Sequence, residues 1–264
     1  MRNFIILIFL LLGNTNSTIW GPTGHRVVAE IAEQNISEKT KEEISKILDG
    51  QPLAYIAFYA DEIKSDDKYD QYYSWHFINF DLDENYMDTP PSDNGDLYIA
   101  INKCIDVLKD NSSDKETKAF YLKLLIHFIG DLHQPLHLGQ EEDRGANRIR
   151  VKWFGSNTNL HSVWDSKMID GYKMSYSEIA YNLQKTRENN SKDFQREDLV
   201  KWIDQIHDYT QEIYKSIDDT NLGYEYQYDN FNLSNVKEFT IEVNPGEAPK
   251  ERLKSFKSLG VNRV

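Results

Sequence analysis

A mainly α, single-domain helical fold is what this chain of 264 residues predicts. Two observations carry that reading: apolar residues recur at helical spacing along most of the chain, and strand-like alternation is nearly absent. A third sets the scale. With 39% hydrophobic and 28% charged side chains, the chain can bury a real core, which excludes disorder and a fibre.

The elements follow in order. Met1-Arg2 and the apolar run Phe4 to Leu12 have the charged start and short greasy centre of a secretory signal. Nine apolar residues cannot cross about 30 Å of hydrocarbon as a helix. Residues 1–19 therefore read as a signal peptide, and the mature chain is expected to be secreted or periplasmic. Val27, Val28, Ile31 and Ala32 form the first helical stripe, and Ile44, Ile47 and Leu48 form a second that Asp49-Gly50 stops. Residues 81–95, with Pro90-Pro91, read as a long loop before helices at about 96–110 and about 115–134. Tyr121, Leu124, Leu125, Phe128 and Leu132 give the second of these the best stripe in the chain, and Pro135 ends it. A run from Val151 to Phe154 suggests a small hairpin. Helices resume at about 162–170, 175–188 and 194–217, the last on Val200, Ile203, Ile206, Tyr209, Ile213 and Tyr214. Residues 231–264 read as an atypical tail without an apolar stripe.

Charge and cysteine use narrow the function classes. Thirty basic against 43 acidic residues give a net charge of −13, so no diffuse basic surface steers this chain to nucleic acid. Any polyanion it handles must be held locally. Cys104 is the single cysteine, so an intramolecular disulfide is impossible.

The histidines are the informative feature. All but one of seven fall between positions 25 and 161. His127-x-x-x-Asp131 is an i, i+4 pair that aims two ligands at one ion, and His161-x-x-x-Asp165 repeats the spacing. Each pair alone is more often an ordinary hydrogen bond. Together with His25, Asp61, His76 and His137, they form a nitrogen and oxygen donor set suited to zinc rather than to iron–sulfur or copper thiolate chemistry.

Five segments then occur in one order: Trp20-Gly-Pro-Thr-Gly-His25-Arg, Tyr59-Ala-Asp61-Glu-Ile-Lys64, Trp75-His76-Phe-Ile-Asn79, His127-Phe-Ile-Gly-Asp131-Leu-His-Gln-Pro-Leu-His137 and Asn159-Leu-His161-Ser-Val-Trp-Asp165. In these the chain resembles the zinc-dependent single-strand-specific nucleases and 3′-nucleotidases, the S-one/P-one nuclease family, distantly akin to zinc phospholipase C. The resemblance implies a nuclease domain over residues 20–230, with a helical phospholipase C/nuclease-like fold around three zinc ions. Carried over by position, one ion takes Asp61, His76, His127 and Asp131. A second takes His137, His161 and Asp165. The third takes His25, the bridging Asp131, and the amine and carbonyl of Trp20 as mature N-terminus.

The family chemistry that this implies is hydrolysis of single-stranded DNA, RNA and 3′-nucleotides to 5′-phosphate products by a metal-activated hydroxide. Lys64 then contacts a phosphate oxygen. Phe77 stacks a nucleobase. Asn147 positions a loop or reads a base edge, and Asn79 stands where relatives carry aspartate, so it can hydrogen-bond but not accept a proton. From spacing alone, Lys64 is a solvated lysine, Phe77 packs in the core, and Asn147 serves turn geometry. His133 fits orientation of a ligand or a bond to backbone, His207 a surface position, and Cys104 a buried small hydrophobe. No stable protein partner is implied. Two other readings remain at this level: a zinc phospholipase C-like phosphodiesterase, and a zinc-binding protein without turnover.

Overall fold

The computed structural model describes residues 21–90, 92–185, 199–217 and the backbone of 224–225. The signal segment, Trp20 and the tail at 231–264 lie outside the described residues. Ten α-helices occur within them: α1 (Pro22–Asn35), α2 (Glu38–Ile47), α3 (Leu53–Ile56), α4 (Tyr59–Glu62), α5 (Leu97–Lys109), α6 (Lys115–Leu132), α7 (Leu160–Ser162), α8 (Met168–Gly171), α9 (Tyr176–Lys185) and α10 (Leu199–Lys215). A three-stranded sheet, β1 (Arg150–Trp153), β2 (Ser156–Asn159) and β3 (Tyr224–Glu225), runs in the order β2-β1-β3. The fold is mainly α. No helix among the described residues is long and apolar enough to cross a membrane.

Local chemistry sets the boundaries. Pro22 opens α1, where its missing N–H costs nothing. Ser37, Asp96 and Asp114 cap α2, α5 and α6 by accepting from Thr40 N at 3.2 Å, Ile99 N at 3.0 Å and Thr117 N at 2.7 Å. The hairpin expected near Val151 pairs Arg150 with Asn159 and Trp153 with Ser156. Its two turn residues, Phe154 and Gly155, have φ of 48° and 74°, the doubly left-handed geometry that matches strand twist. β3 joins β1 in parallel, an addition that the polar sequence there does not announce.

Two hydrophobic clusters frame the centre of the molecule. Leu97, Ile101, Leu124, Phe128, Leu132, Ile203 and Ile206 pack α5, α6 and α10 together. Leu136, Val151, Leu160, Val163 and Ile213 fill the space beneath the hairpin. Between α4 and α5 lies an element that no 3.6-residue stripe predicts, a ten-residue 3-10 helix at Asp67–His76. Tyr69, Tyr72 and Trp75 fall in one column of it because three residues complete a turn. Those rings pack on Phe120 and Phe128, at 5.9, 5.6 and 6.2 Å between centroids. The backbone beyond this helix pairs with the chain after α6, Ile78 N donating to His137 O at 2.8 Å and Phe80 N to Gly139 O at 3.2 Å.

Candidate metal centre

Seven secondary-structure elements deliver eight side chains to one buried place. His25 comes from the start of α1 and Asp61 from α4. His76 ends the 3-10 helix. His127 and Asp131 lie one turn apart on α6, and His137 sits in a short 3-10 turn at Pro135–Leu138. α7 supplies His161, and the π turn Val163–Lys167 that continues it supplies Asp165. None of the eight is more than 6% exposed.

They fall into three groups: His25, His127 and Asp131; Asp61, His76 and His127; and His137, His161 and Asp165. Within each, the donor atoms lie within 4.8 Å of one another. Asp131 sits at the junction. Its Oδ2 is 2.9 Å from His76 Nδ1 and 3.2 Å from His127 Nε2, while its Oδ1 is 3.5 Å from His25 Nε2 and 3.2 Å from His137 Nδ1. In the third group Asp165 Oδ2 lies 3.0 Å from His161 Nε2, and Asp165 Oδ1 lies 3.5 Å from His137 Nε2.

Backbone carbonyls orient two of the imidazoles. His127 Nδ1–H donates to Ala57 O at 2.8 Å and His161 Nδ1–H to Gly145 O at 2.5 Å, which turns each Nε2 lone pair toward the cluster. The second carbonyl depends on an unusual backbone. Arg144, Gly145 and Ala146 are left-handed in succession, at φ of 58°, 60° and 64°. Such runs cost energy and persist where the surroundings enforce them. Arg144 and Ala146 show that the backbone angle alone does not demand glycine, but a Cβ on Gly145 would stand 2.3 Å from Leu136 O, and that approach does.

Burial and mutual charge divide the titrations. Burial holds His25 well below the ordinary imidazole range and brings His76 down to about 4 despite Asp131 beside it. For His137 burial acts the same way, but the Asp131 and Asp165 carboxylates outweigh it and push the ring up to about 10. His127 is likewise raised against its burial, by Asp131 and Asp61. Burial disfavours charge on Asp131 and Asp165, yet the surrounding imidazoles hold both carboxyls below their usual range. Both are therefore ionised at neutral pH.

The donor set fits divalent metal. Asp61 Oδ2 is buried and accepts no hydrogen bond among the described residues. His127 Nε2, an acceptor when the ring is neutral because Nδ1–H is used on Ala57 O, faces His76 Nδ1 at 3.2 Å. A cation between such lone pairs would satisfy them, whereas burying them without one is costly. All donors are nitrogen or oxygen, which suits zinc.

A sequence profile described as S1/P1 Nuclease matches residues 20–237. The chain belongs to that family. It is 31% identical over 202 residues to Endonuclease 4 of Arabidopsis thaliana, a stretch covering 67% of this chain and 64% of that protein. It is 31% identical to Nuclease S1 of Aspergillus oryzae, over 62% of this chain and 61% of the relative. For Nuclease P1 of Penicillium citrinum the identity is 32%, over 60% and 63%. The chain thus spans just under two-thirds of the length of these relatives.

As a member of the S1/P1 nuclease family, the chain brings together every histidine and aspartate that its sequence nominated as a ligand. Trp20 lies outside the described residues; the neighbouring Gly21 N is tied to Asp165 O at 2.8 Å. Lys64 Nζ sits 2.8 Å from Asp61 Oδ1, at the edge of the cluster, with its side chain 23% exposed. Phe77 and Asn79 follow His76 and are half-buried. Asn147 uses Nδ2 on Arg144 O at 2.9 Å, within the left-handed turn. His133 turns away from the cluster, bonding Ile129 O at 2.7 Å and meeting Trp202 edge-on. Cys104 is fully buried, and burial pushes its thiol up to about 12.

His207 is not a surface residue. It is 2% exposed, stacked on Phe80 at 3.9 Å, and its Nδ1–H donates to Leu138 O at 2.8 Å. Thr210 and Tyr214 continue the same face of α10. The Thr210 hydroxyl donates to Pro135 O, and the Tyr214 hydroxyl to Asp143 Oδ1 at 2.7 Å. Asp143 Oδ1 in turn accepts from Ala146 N at 2.6 Å. One helix face therefore braces both the turn carrying His137 and the loop whose carbonyl aims His161. Gln134 completes the support, its amide reaching Asp165 Oδ1 while its carbonyl accepts from Leu136 N at 2.6 Å. The available sequence signal was spacing: His207 and Thr210 stand four and seven residues after the buried Ile203.

Proposed function

We propose that this chain is an exported zinc-dependent endonuclease that hydrolyses the phosphodiester bonds of single-stranded DNA and RNA, and 3′-nucleotides, to 5′-phosphate products. The observation that carries the reading is the convergence of eight buried imidazole and carboxylate groups into three ligand groups, in a chain of this family. Three zinc ions are the proposed complement, with Trp20 as mature N-terminus adding its amine beside His25. Bound zinc supplies Lewis acidity toward phosphate and acidifies water.

The chain's own residues do the rest. Asp131 joins the groups that contain His25, His76 and His127, so that charge is held at a fixed spacing. Lys64, anchored on Asp61, offers its ammonium to a non-bridging phosphate oxygen as charge builds there. Phe77, beside His76, stacks a base without reading its identity, which suits a sequence-tolerant enzyme. Asn79 hydrogen-bonds base or sugar, and Asn147 holds the loop that aims His161.

The test is to offer purified, zinc-loaded protein a single-stranded DNA, a 3′-mononucleotide and phosphatidylcholine, with His161→Ala as control. Cleavage of both nucleotide substrates, lost in the control, is expected. Cleavage of the lipid alone would assign a phospholipase C, and full zinc content without turnover would assign a binding protein.

A further inference from the structure

The 3-10 helix at Asp67–His76 stacks side chains three residues apart into columns. The column of Tyr69, Tyr72 and Trp75 is used for packing. The next column is Asp70, Tyr73 and His76. Its inner end is the buried His76 of the metal centre, and one turn outward stands Tyr73, 63% exposed. A lone exposed aromatic needs no explanation. Tyr73 is not alone. Its ring lies 6.0 Å from that of Phe77 with the planes at 79°, and Lys64 Nζ lies 5.7 Å from its centroid. The same ammonium is the one bonded to Asp61 at 2.8 Å.

We propose that Tyr73 is a platform for a second nucleobase, adjoining the one on Phe77, with the phosphate that links them drawn to Lys64. The proposal rests on the nuclease reading and names its substrate as a strand at least two nucleotides long. A base stacks on tyrosine through its π face, whatever its identity. Bases in a duplex lie parallel, whereas these two rings stand nearly perpendicular. Only a strand whose neighbouring bases are free to turn apart can occupy both. Preference for single strands is thereby tied to the angle between two side chains, which stand on and directly after the 3-10 helix that the column of Tyr69, Tyr72 and Trp75 packs against Phe120 and Phe128.

The test compares zinc-loaded full-length wild type, Tyr73→Ala and Tyr73→Phe on an oligothymidylate and on thymidine 3′-monophosphate. The quantity read is the ratio of kcat/KM for the oligonucleotide to that for the mononucleotide. Loss of one stacked base lowers that ratio about tenfold in Tyr73→Ala, mainly through KM, while Tyr73→Phe, which keeps the ring, stays near wild type. An unchanged ratio in Tyr73→Ala, or an equal fall in Tyr73→Phe, overturns the subsite. A wild type that cleaves neither substrate overturns the nuclease reading, and the subsite with it.

Discussion

Gly130 lies between the proposed ligands His127 and Asp131 on α6, and the space beside it is filled by His25 from α1. A Cβ at this position would stand 2.3 Å from His25 Nδ1, 3.0 Å from Cε1 and 3.3 Å from Cγ. Contacts between non-bonded heavy atoms settle at about 3.5–4.0 Å, so Gly130→Ala requires a shift of about 1 Å or more. The imidazole has no room to yield, since it is buried and stacked on His127 at 3.9 Å. α1 and α6 must part, carrying His25 from its 3.5 Å approach to Asp131. Two effects on stability oppose each other: alanine favours the helix by about 0.8–1.0 kcal/mol, and overpacking costs about 1–3 kcal/mol. The net change in stability is therefore small, about 0–2 kcal/mol of loss. Activity has no such compensation, because a misplacement of about 1 Å costs on the order of 100-fold. The assay pairs a thermal melt with kcat/KM on single-stranded DNA and a zinc count. Gly130→Ala is expected to melt within a few degrees of wild type, lose about 100-fold in kcat/KM, and bind the ion beside His25 weakly. A variant within threefold of wild type, with its full metal complement, would refute the reasoning.

The brace on α10 predicts a selective effect: Thr210→Val removes the hydroxyl that donates to the Pro135 carbonyl, costs about 0.5–1.5 kcal/mol, and weakens binding at the His137, His161 and Asp165 group more than at the others. Tyr214→Phe acts on the same group through Asp143, and Thr210→Ser restores binding; zinc titrations on the variants check both. Zinc titrated into metal-free protein at about pH 7.5 releases at least one proton per chain, because His137, pushed to about 10, must lose its proton to become a ligand. Calorimetry in two buffers of different ionisation enthalpy measures that release. His137 is raised above its unfolded value of 6.5, so its contribution to the metal-free fold is complete below that pH and is lost as pH rises through about 10. The metal-free melting temperature should fall across that window. Chelation at neutral pH should lower the melting temperature by 10 °C or more, on the order expected when several buried ligands lose a shared counter-charge, and an unchanged melt would remove the metals from the account of stability.

The long helices were legible because a stripe needs two or three turns to declare itself. α1, α5, α6 and α10 have that length, and Ser37, Asp96 and Asp114 mark starts by capping. α3 and α4 are four residues each, shorter than the period that would reveal them. The 3-10 helix at Asp67–His76 repeats every three residues, so Tyr69, Tyr72 and Trp75 match neither helical nor strand spacing. At the site, the His-x-x-x-Asp spacing located two pairs because that geometry is internal to one helical run. The approach of His25 to His127 is not written in any local spacing. It depends on Gly130 letting two helices close together. His207 was misread for a related reason: a histidine next to an apolar stripe looks solvated until a carbonyl from a distant turn, here Leu138 O, meets its ring.

An acidic chain and a polyanionic substrate look mismatched, yet net charge is the wrong quantity for deciding contact. At physiological ionic strength exposed charges are screened over about 8 Å, so most of the −13 is invisible from the phosphate that reacts. Within the cluster itself, three carboxylates, Asp61, Asp131 and Asp165, face Lys64 and the proposed dications, two of which already outweigh them. Those carboxylates are buried, where screening is weak, so the sign that a phosphate meets is set by what the carboxylates hold rather than by the surface. The same burial explains the economy of the design. A basic surface would attract any polyanion, folded or duplex, whereas the proposed cationic centre, flanked by Tyr73 and Phe77, would attract only the phosphate that reaches it, on a strand that can separate its bases to do so.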